Sequence, residues 1–295
     1  MKSRWRLPLR IVALGYLALL VVIPVGSVFY RAFQHGFIAA WDAVTTPDAV
    51  HALWLTLLVV LIAVPLNTVF GVGVSLILAR HRFRGAWLLD AFVDLPLAIS
   101  PVVVGLALVL VYGKTGWFGN WLAGHGIEII FSFPGIVMAS ATVALPYVVR
   151  EVLPVLQEIG TDQEQAATTL GASSFTAFRR ITLPSIRRSL AYGVTLTTAR
   201  VLGEFGAVVV VSGAIAGRTQ TLTLFIQDSI DNLNPVGAYA GAVILAILAL
   251  VVLTVLGADR EGRKAKWRSQ SDQSPSDSEM PLPSTTSILM SPMDH

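Results

Sequence analysis

The 295-residue chain contains no cysteine, which excludes disulfides, thiolate metal ligands and thiol nucleophiles together. It is also poor in charge. Only 13% of its residues are charged and 54% are hydrophobic, whereas a soluble domain carries roughly 25% charged residues. Such a chain has too little polarity to coat a surface facing water, and it belongs in lipid. Histidines are few, and His35, His51, His81, His125 and His295 have no spacing that suits a zinc site. A phosphate loop is missing too. Gly113-Lys114-Thr115 ends like one, but position 108 is Leu where the motif requires Gly. Nothing in the chain is expected to bind a nucleotide, act as a catalyst or hold a metal.

What the chain does have is long apolar runs. Six are long enough for the roughly 20 residues that a helix needs to cross a bilayer. They cover approximately Leu9–Tyr30, Ala52–Ala79, Leu88–Tyr112, Phe131–Val149, Leu190–Ile215 and Val236–Ala258. Continuous runs of this length are helical rather than alternating, and helices satisfy their own backbone groups in hydrocarbon. The expected fold class is therefore an all-α integral membrane protein with six transmembrane helices. The first run is too long for a signal-peptide core, and Tyr30-Arg31-Ala32-Phe33 follows it instead of a small-residue cleavage site. It is expected to be a retained span.

Basic residues give the orientation. With the N-terminus inside, 17 of the 21 Lys and Arg fall on the cytoplasmic side, while Arg31, Lys114 and Arg218 fall outside and Arg200 lies within a span. That asymmetry predicts a multi-pass protein with both termini in the cytoplasm. Residues 1–268 form the expected membrane domain. Residues 269–295 are rich in Ser, Pro and Asp with little to bury, and are expected to be a disordered cytoplasmic tail.

The most polar interval between spans, about 155–188, is punctuated as a helix–turn–helix. Thr161-Asp162-Gln163-Glu164 fits a capping box, in which the Thr161 hydroxyl accepts from the third helical N–H while Glu164 reaches back. Gly171 stands where a left-handed C-terminal cap costs least. Ser173 or Ser174 can cap a second short helix through Arg180, and Pro184 suits the first turn of the next one. Gln165-Ala166-Ala167, Gly171, Ile181, Leu183 and Pro184 then form a spaced pattern of small and apolar residues that suggests a docking surface.

That pattern resembles the "EAA" loop of bacterial ABC importer permeases. The likeness extends to Asp94-Leu95-Pro96, Ser100-Pro101-Val102-Val103-Val104-Gly105, the run from Tyr112 to Gly119, Gly203-Glu204-Phe205-Gly206-Ala207 and Thr219-Gln220-Thr221-Leu222. Over roughly residues 10–265 the chain is similar to sulfate/thiosulfate importer permeases, the second of the two permease subunits most of all. Molybdate permeases share the loop and the Gly-Glu-Phe-Gly motif, but they usually have Pro-Pro-Thr-Val where this chain has Ser100-Pro101-Val102-Val103. The resemblance implies a type I ABC importer permease fold in a bacterial plasma membrane. It also implies a second, similar permease subunit, two ATPase subunits that carry ATP and magnesium, and an extracytoplasmic sulfate-binding protein; nucleic acid is not an expected partner. The loop would be the coupling element seated in an ATPase groove. The family pattern begins with Glu where this chain has Gln165. Glu164 stands one place earlier, about 100° away around a helix.

Two acid–base constellations lie near or within spans. Arg200 and Glu204 are four apart, and charges at membrane depth face a cavity or each other. They read as an ion pair, as an aid to oxyanion passage, or as a proton relay. Asp90 and Asp94 are also four apart, near the cytoplasmic end of the third run, where water or loop arginines reach them. Gly213-x-x-x-Gly217 and Gly237-x-x-x-Gly241 have the spacing that allows membrane helices to approach closely. An ion-coupled secondary transporter would want carboxylates on several spans. A membrane enzyme would want clustered catalytic side chains. Neither pattern is present.

Overall fold

The computed structural model describes residues 6–81 and 83–257; the expected tail lies outside the described residues. Among the described residues every regular element is helical. In chain order the first elements are α1 (Arg6–Leu17), a π turn (Ala18–Val22), α2 (Ile23–Phe33), α3 (Phe37–Val44), α4 (Pro47–Arg80), α5 (Ala86–Ala98) and α6 (Pro101–Tyr112). They are followed by α7 (Gly119–Gly124), α8 (Phe133–Ile159), α9 (Asp162–Thr169), α10 (Ser174–Ala177), a second π turn (Phe178–Thr182), α11 (Leu183–Leu202), α12 (Gly206–Ser212), α13 (Leu222–Asp231) and α14 (Pro235–Gly257).

Four helices are long and apolar enough to cross a membrane, and the number rises to six if each of two bent pairs counts as one span. The bent pairs correct the expectation of six continuous runs. α5 and α6 meet at 114°, and the helix entering through α10 and α11 meets α12 at 53°. The first break lies at Ile99 and Ser100, both extended, because Pro101 disfavours helical geometry at the residue before it. The second lies at Gly203, Glu204 and Phe205.

The centre of the bundle is α8, which packs against α4, α11, α5 and α12. It is capped at its far end by Gly160, at φ +69°. Helices in lipid gain little from burying apolar surface, so small residues that let backbones approach decide the packing. Val148 of α8, fully buried, is pinched between two such residues. A Cβ at Gly71 of α4 would lie 2.7 Å from its Cβ, and one at Gly193 of α11 would lie 3.1 Å from its Cα. α6 and α12 run side by side in the same way, with a Cβ at Gly105 meeting the Ala207 carbonyl oxygen at 2.8 Å.

Both π turns precede a proline. Ile23 N–H reaches the Ala18 oxygen and Leu183 N–H reaches the Phe178 oxygen, and Pro24 and Pro184 follow. A proline removes a backbone donor, and a widened turn accommodates it without ending the helix. α11 starts at Leu183 with Pro184 in its first turn, as expected, and α10 runs into it through the π turn without a break. The polar loop is shorter than 155–188, because α8 continues to Ile159.

The glycine pairs differ from one another. Gly213 and Gly217 have φ of +66° and +68° and are turn residues, not a helix-packing stripe. Gly237 and Gly241 do lie within α14, and a Cβ on Gly241 would press on Ile226 of α13 at 3.1 Å. Gly113, Gly116 and Gly119 form a folded-back turn in which any Cβ would fall within 2.5 Å of a carbonyl oxygen.

Candidate functional site

The polar loop is a compact knuckle. α9 ends in Gly171, whose φ of +88° is the left-handed cap expected from the sequence. Ser173 caps α10 by accepting from the Thr176 N–H at 3.3 Å. The capping box does not form. Thr161 makes no side-chain cap, and Glu164 turns away from the helix start. Instead Arg80, at the end of α4, donates from Nε to Glu164 Oε2 and from Nη2 to Oε1, both at 3.0 Å. The Thr182 hydroxyl donates to Oε1 at 2.6 Å, and Arg80 Nη1 donates to the Leu156 carbonyl at 2.9 Å. Burial raises the Glu164 pKa, but the Arg80 guanidinium and the Thr182 hydroxyl outweigh it and hold the carboxyl below its usual range.

Gln165 is exposed and donates to the Thr161 hydroxyl at 2.9 Å, so it stays within its own helix start. Ala166, Gly171 and Pro184 are also exposed, Ala167 is half-buried, and Ile181 and Leu183 are half-buried. Leu183 packs on the cluster of Val72, Val148, Val152, Leu156 and Ile186. The loop thus has an inner side tied to α4, α8 and α11, and an outer side. Two large apolar side chains stand on the outer side beside Gly171: Leu170 is 89% exposed and Phe175 71% exposed.

Arg200 and Glu204 do meet, but not on one helix face. α11 ends at Leu202 and Glu204 lies in the break, its side chain 2% exposed. Its Oε2 lies 2.5 Å from Arg200 Nη1, and Oε1 accepts the Ala207 N–H at 2.8 Å, which caps the start of α12. The Thr223 hydroxyl donates to the Glu204 carbonyl at 2.8 Å and ties α13 to the same joint. The geometry brings the two side chains together as an ion pair.

Asp90 and Asp94 are clamped rather than simply solvated. Arg150 of α8 donates from Nε to Asp94 Oδ1 at 2.6 Å and from Nη2 to Asp94 Oδ2, and Nη2 also lies 3.0 Å from Asp90 Oδ1. The sequence reading missed Arg80, Thr182 and Arg150 as partners. In the sequence Arg80 reads as a charge that sets topology, and Arg150 as one of the loop arginines within reach of Asp90 and Asp94. Leu170 and Phe175 carry a signal of their own, two large apolar side chains in an otherwise polar loop.

Among the described residues no three His, Asp or Glu side chains converge as they would around a metal ion.

Residues 71–258 match the family described as "binding-protein-dependent transport system inner membrane component". The sulfate transport system permease protein CysW of Synechocystis sp. is 50% identical over 82% of this chain and 88% of its own length. The sulfate transport system permease protein CysT of Escherichia coli is 36% identical over 82% of this chain and 88% of its own length. Among solved structures, a bacterial alginate ABC transporter in complex with its alginate-bound periplasmic protein has a chain that superposes with a TM-score of 0.70. That superposition covers 84% of this chain and 91% of that one at 17% identity, a likeness of fold. The protein belongs to the family of inner-membrane components of binding-protein-dependent transport systems.

Proposed function

We propose that this chain is a membrane-spanning subunit of an ATP-driven importer of sulfate or thiosulfate, which carries the oxyanion inward by alternating access. The substrate assignment rests on the sulfate permease relatives. Higher identity to the CysW protein than to the CysT protein supports a CysW-like subunit paired with a CysT-like one. Two ATPase subunits below, holding ATP and magnesium, and an extracytoplasmic sulfate-binding protein above complete the assembly. Both termini face the cytoplasm of a bacterial cell, the side on which the basic residues concentrate.

The observation that carries the ATP-driven reading is the two-sided loop. Exposed Leu170 and Phe175 flank the left-handed Gly171, while the inner side is fastened to α4, α8 and α11. Two large apolar side chains on a polar, water-facing knuckle fit a partner groove better than they fit solvent. The test is labelled sulfate uptake in cells lacking their own importer and supplied with the partner subunits and this chain. Leu170→Asp with Phe175→Asp should leave the chain inserted, lose the co-purifying ATPase and abolish uptake. Retained ATPase and full uptake would refute the coupling role of the loop. Uptake blocked by molybdate far better than by sulfate would refute the substrate assignment. A reporter active only outside the cytoplasm should report when fused near Gly124 and stay silent when fused after Arg263.

A further inference from the structure

The inward side of the loop raises a question that docking does not answer: how motion of an eight-residue helix reaches the spans. α9 has no buried residue of its own. A helix with no fully buried residue transmits displacement only weakly by packing. Its inward connection is the Glu164 carboxylate, which receives two N–H groups from Arg80 and the Thr182 hydroxyl.

We propose that Glu164 is the strut of this transporter, the positioning residue that makes α9 move as one body with α4, α8 and α11. This inference rests on the reading of the loop as the ATPase-coupling element. Three features support it. The contact is a two-bond guanidinium–carboxylate pair, the geometry that resists rotation best. Its members are sheltered, with side chains 13% exposed for Arg80 and 24% for Glu164, so water screens them less than it screens a surface pair. Arg80 also holds the Leu156 carbonyl, and Thr182 belongs to the π turn ahead of Pro184, so one carboxylate reaches the ends of three long helices. Gln165 takes no part, because it is occupied with Thr161. The Glu164 charge therefore acts inward within the chain, and Leu170 and Phe175 are left for outward docking.

The strut makes a demand that mere folding does not. It needs a tie between α9 and α4, and any tie of the right length should serve. The absence of cysteine makes this testable, because introduced thiols are the only ones in this subunit. In the full complex, reconstituted in vesicles with the binding protein outside, Arg80→Cys with Glu164→Cys should still co-purify with the ATPase and still hydrolyse ATP. Sulfate uptake per ATP should fall roughly tenfold, as expected for losing charge-assisted bonds. A short bifunctional thiol reagent should restore most of that uptake, and should do nothing to either single-cysteine variant. Thr182→Val, a milder change, should lower uptake per ATP in the same direction if the double variant inserts poorly.

Unchanged uptake per ATP in the double-cysteine and Thr182→Val variants would overturn the strut. So would uptake lost in the double variant that verified cross-linking does not restore. Loss of the ATPase partner from the double variant would overturn it too, by showing that these residues shape the docking surface. The coupling-loop reading fails by a different result, retained ATPase in the Leu170→Asp, Phe175→Asp variant.

Discussion

Arg200 and Glu204 provide the sharpest test of how charge is used inside this bundle. Arg200→Met would strand a carboxylate whose side chain is 2% exposed and whose one remaining bond is to the Ala207 N–H. Breaking a buried pair in this way costs about 3–5 kcal/mol. Glu204→Gln should cost less. The amide oxygen still accepts from Ala207, and the abandoned Arg200, 27% exposed, can be reached by water. A loss of about 1–2 kcal/mol follows for that variant, the scale of one hydrogen bond to a charged group. The double variant removes both charges and keeps the α12 cap, so it should be more stable than Arg200→Met alone by about 2 kcal/mol. The assay is thermal unfolding and monodisperse yield of the detergent-solubilised complex, with sulfate uptake measured in parallel. Equal, additive losses from the two single changes would refute the ion-pair account. A stable Arg200→Met complex that has lost uptake, without rescue by the second change, would instead assign Arg200 to the anion. Uptake by Glu204→Gln that no longer depends on pH would assign Glu204 to proton transfer.

Other outcomes follow from the same geometry. Gly171→Val meets no neighbour within 4 Å but must adopt φ near +88°, a strain of about 1–2 kcal/mol; insertion should be normal, and ATPase co-purification and uptake should fall. Gly71→Val would set a Cβ 2.7 Å from that of Val148, whereas Gly73 has nothing within 4 Å. Expression and monodispersity should collapse for Gly71→Val and not for Gly73→Val, because overpacking a tight crossing costs about 1–3 kcal/mol or more. The Glu164 contribution has a defined pH signature. Its folded pKa lies below the usual range of a free carboxylate, so its stabilisation is fully present at neutral pH and is lost as pH falls below that range through the folded pKa. The thermal-stability gap between the native chain and Glu164→Gln should therefore be open at pH 7 and close under acid; a gap that persists at low pH would contradict the ion pair.

The sequence made the spans legible because length and apolarity are all that a bilayer demands of a helix. It made Gly171 and Ser173 legible because a left-handed cap and an N-cap are decided within four residues. The bends at Ser100 and at Glu204 were not legible. Pro101 and the charged Glu204 mark the two positions, but the size of each bend reflects α6 and α12 lying against each other through Gly105 and Gly206. The capping box failed for a related reason. Locally, Glu164 has one backbone N–H to reach for, while Arg80, 84 positions earlier, supplies two charged donors. Two charge-assisted bonds outweigh one neutral cap, and no local rule reports a partner that distant.

Three of the charge contacts among the described residues have a feature in common that bears on mechanism. Arg80–Glu164 ties α9 to the end of α4, Arg150–Asp94 holds α5 ahead of the 114° bend, and Arg200–Glu204 bridges the 53° bend. Apolar side chains in lipid favour many helix orientations almost equally, since tails and side chains are alike in polarity. Directional, charge-assisted contacts are what single out one angle. Placing them at the joints fixes the angles there. Under the proposed coupling, stiff joints of this kind would carry motion from the loop to the spans.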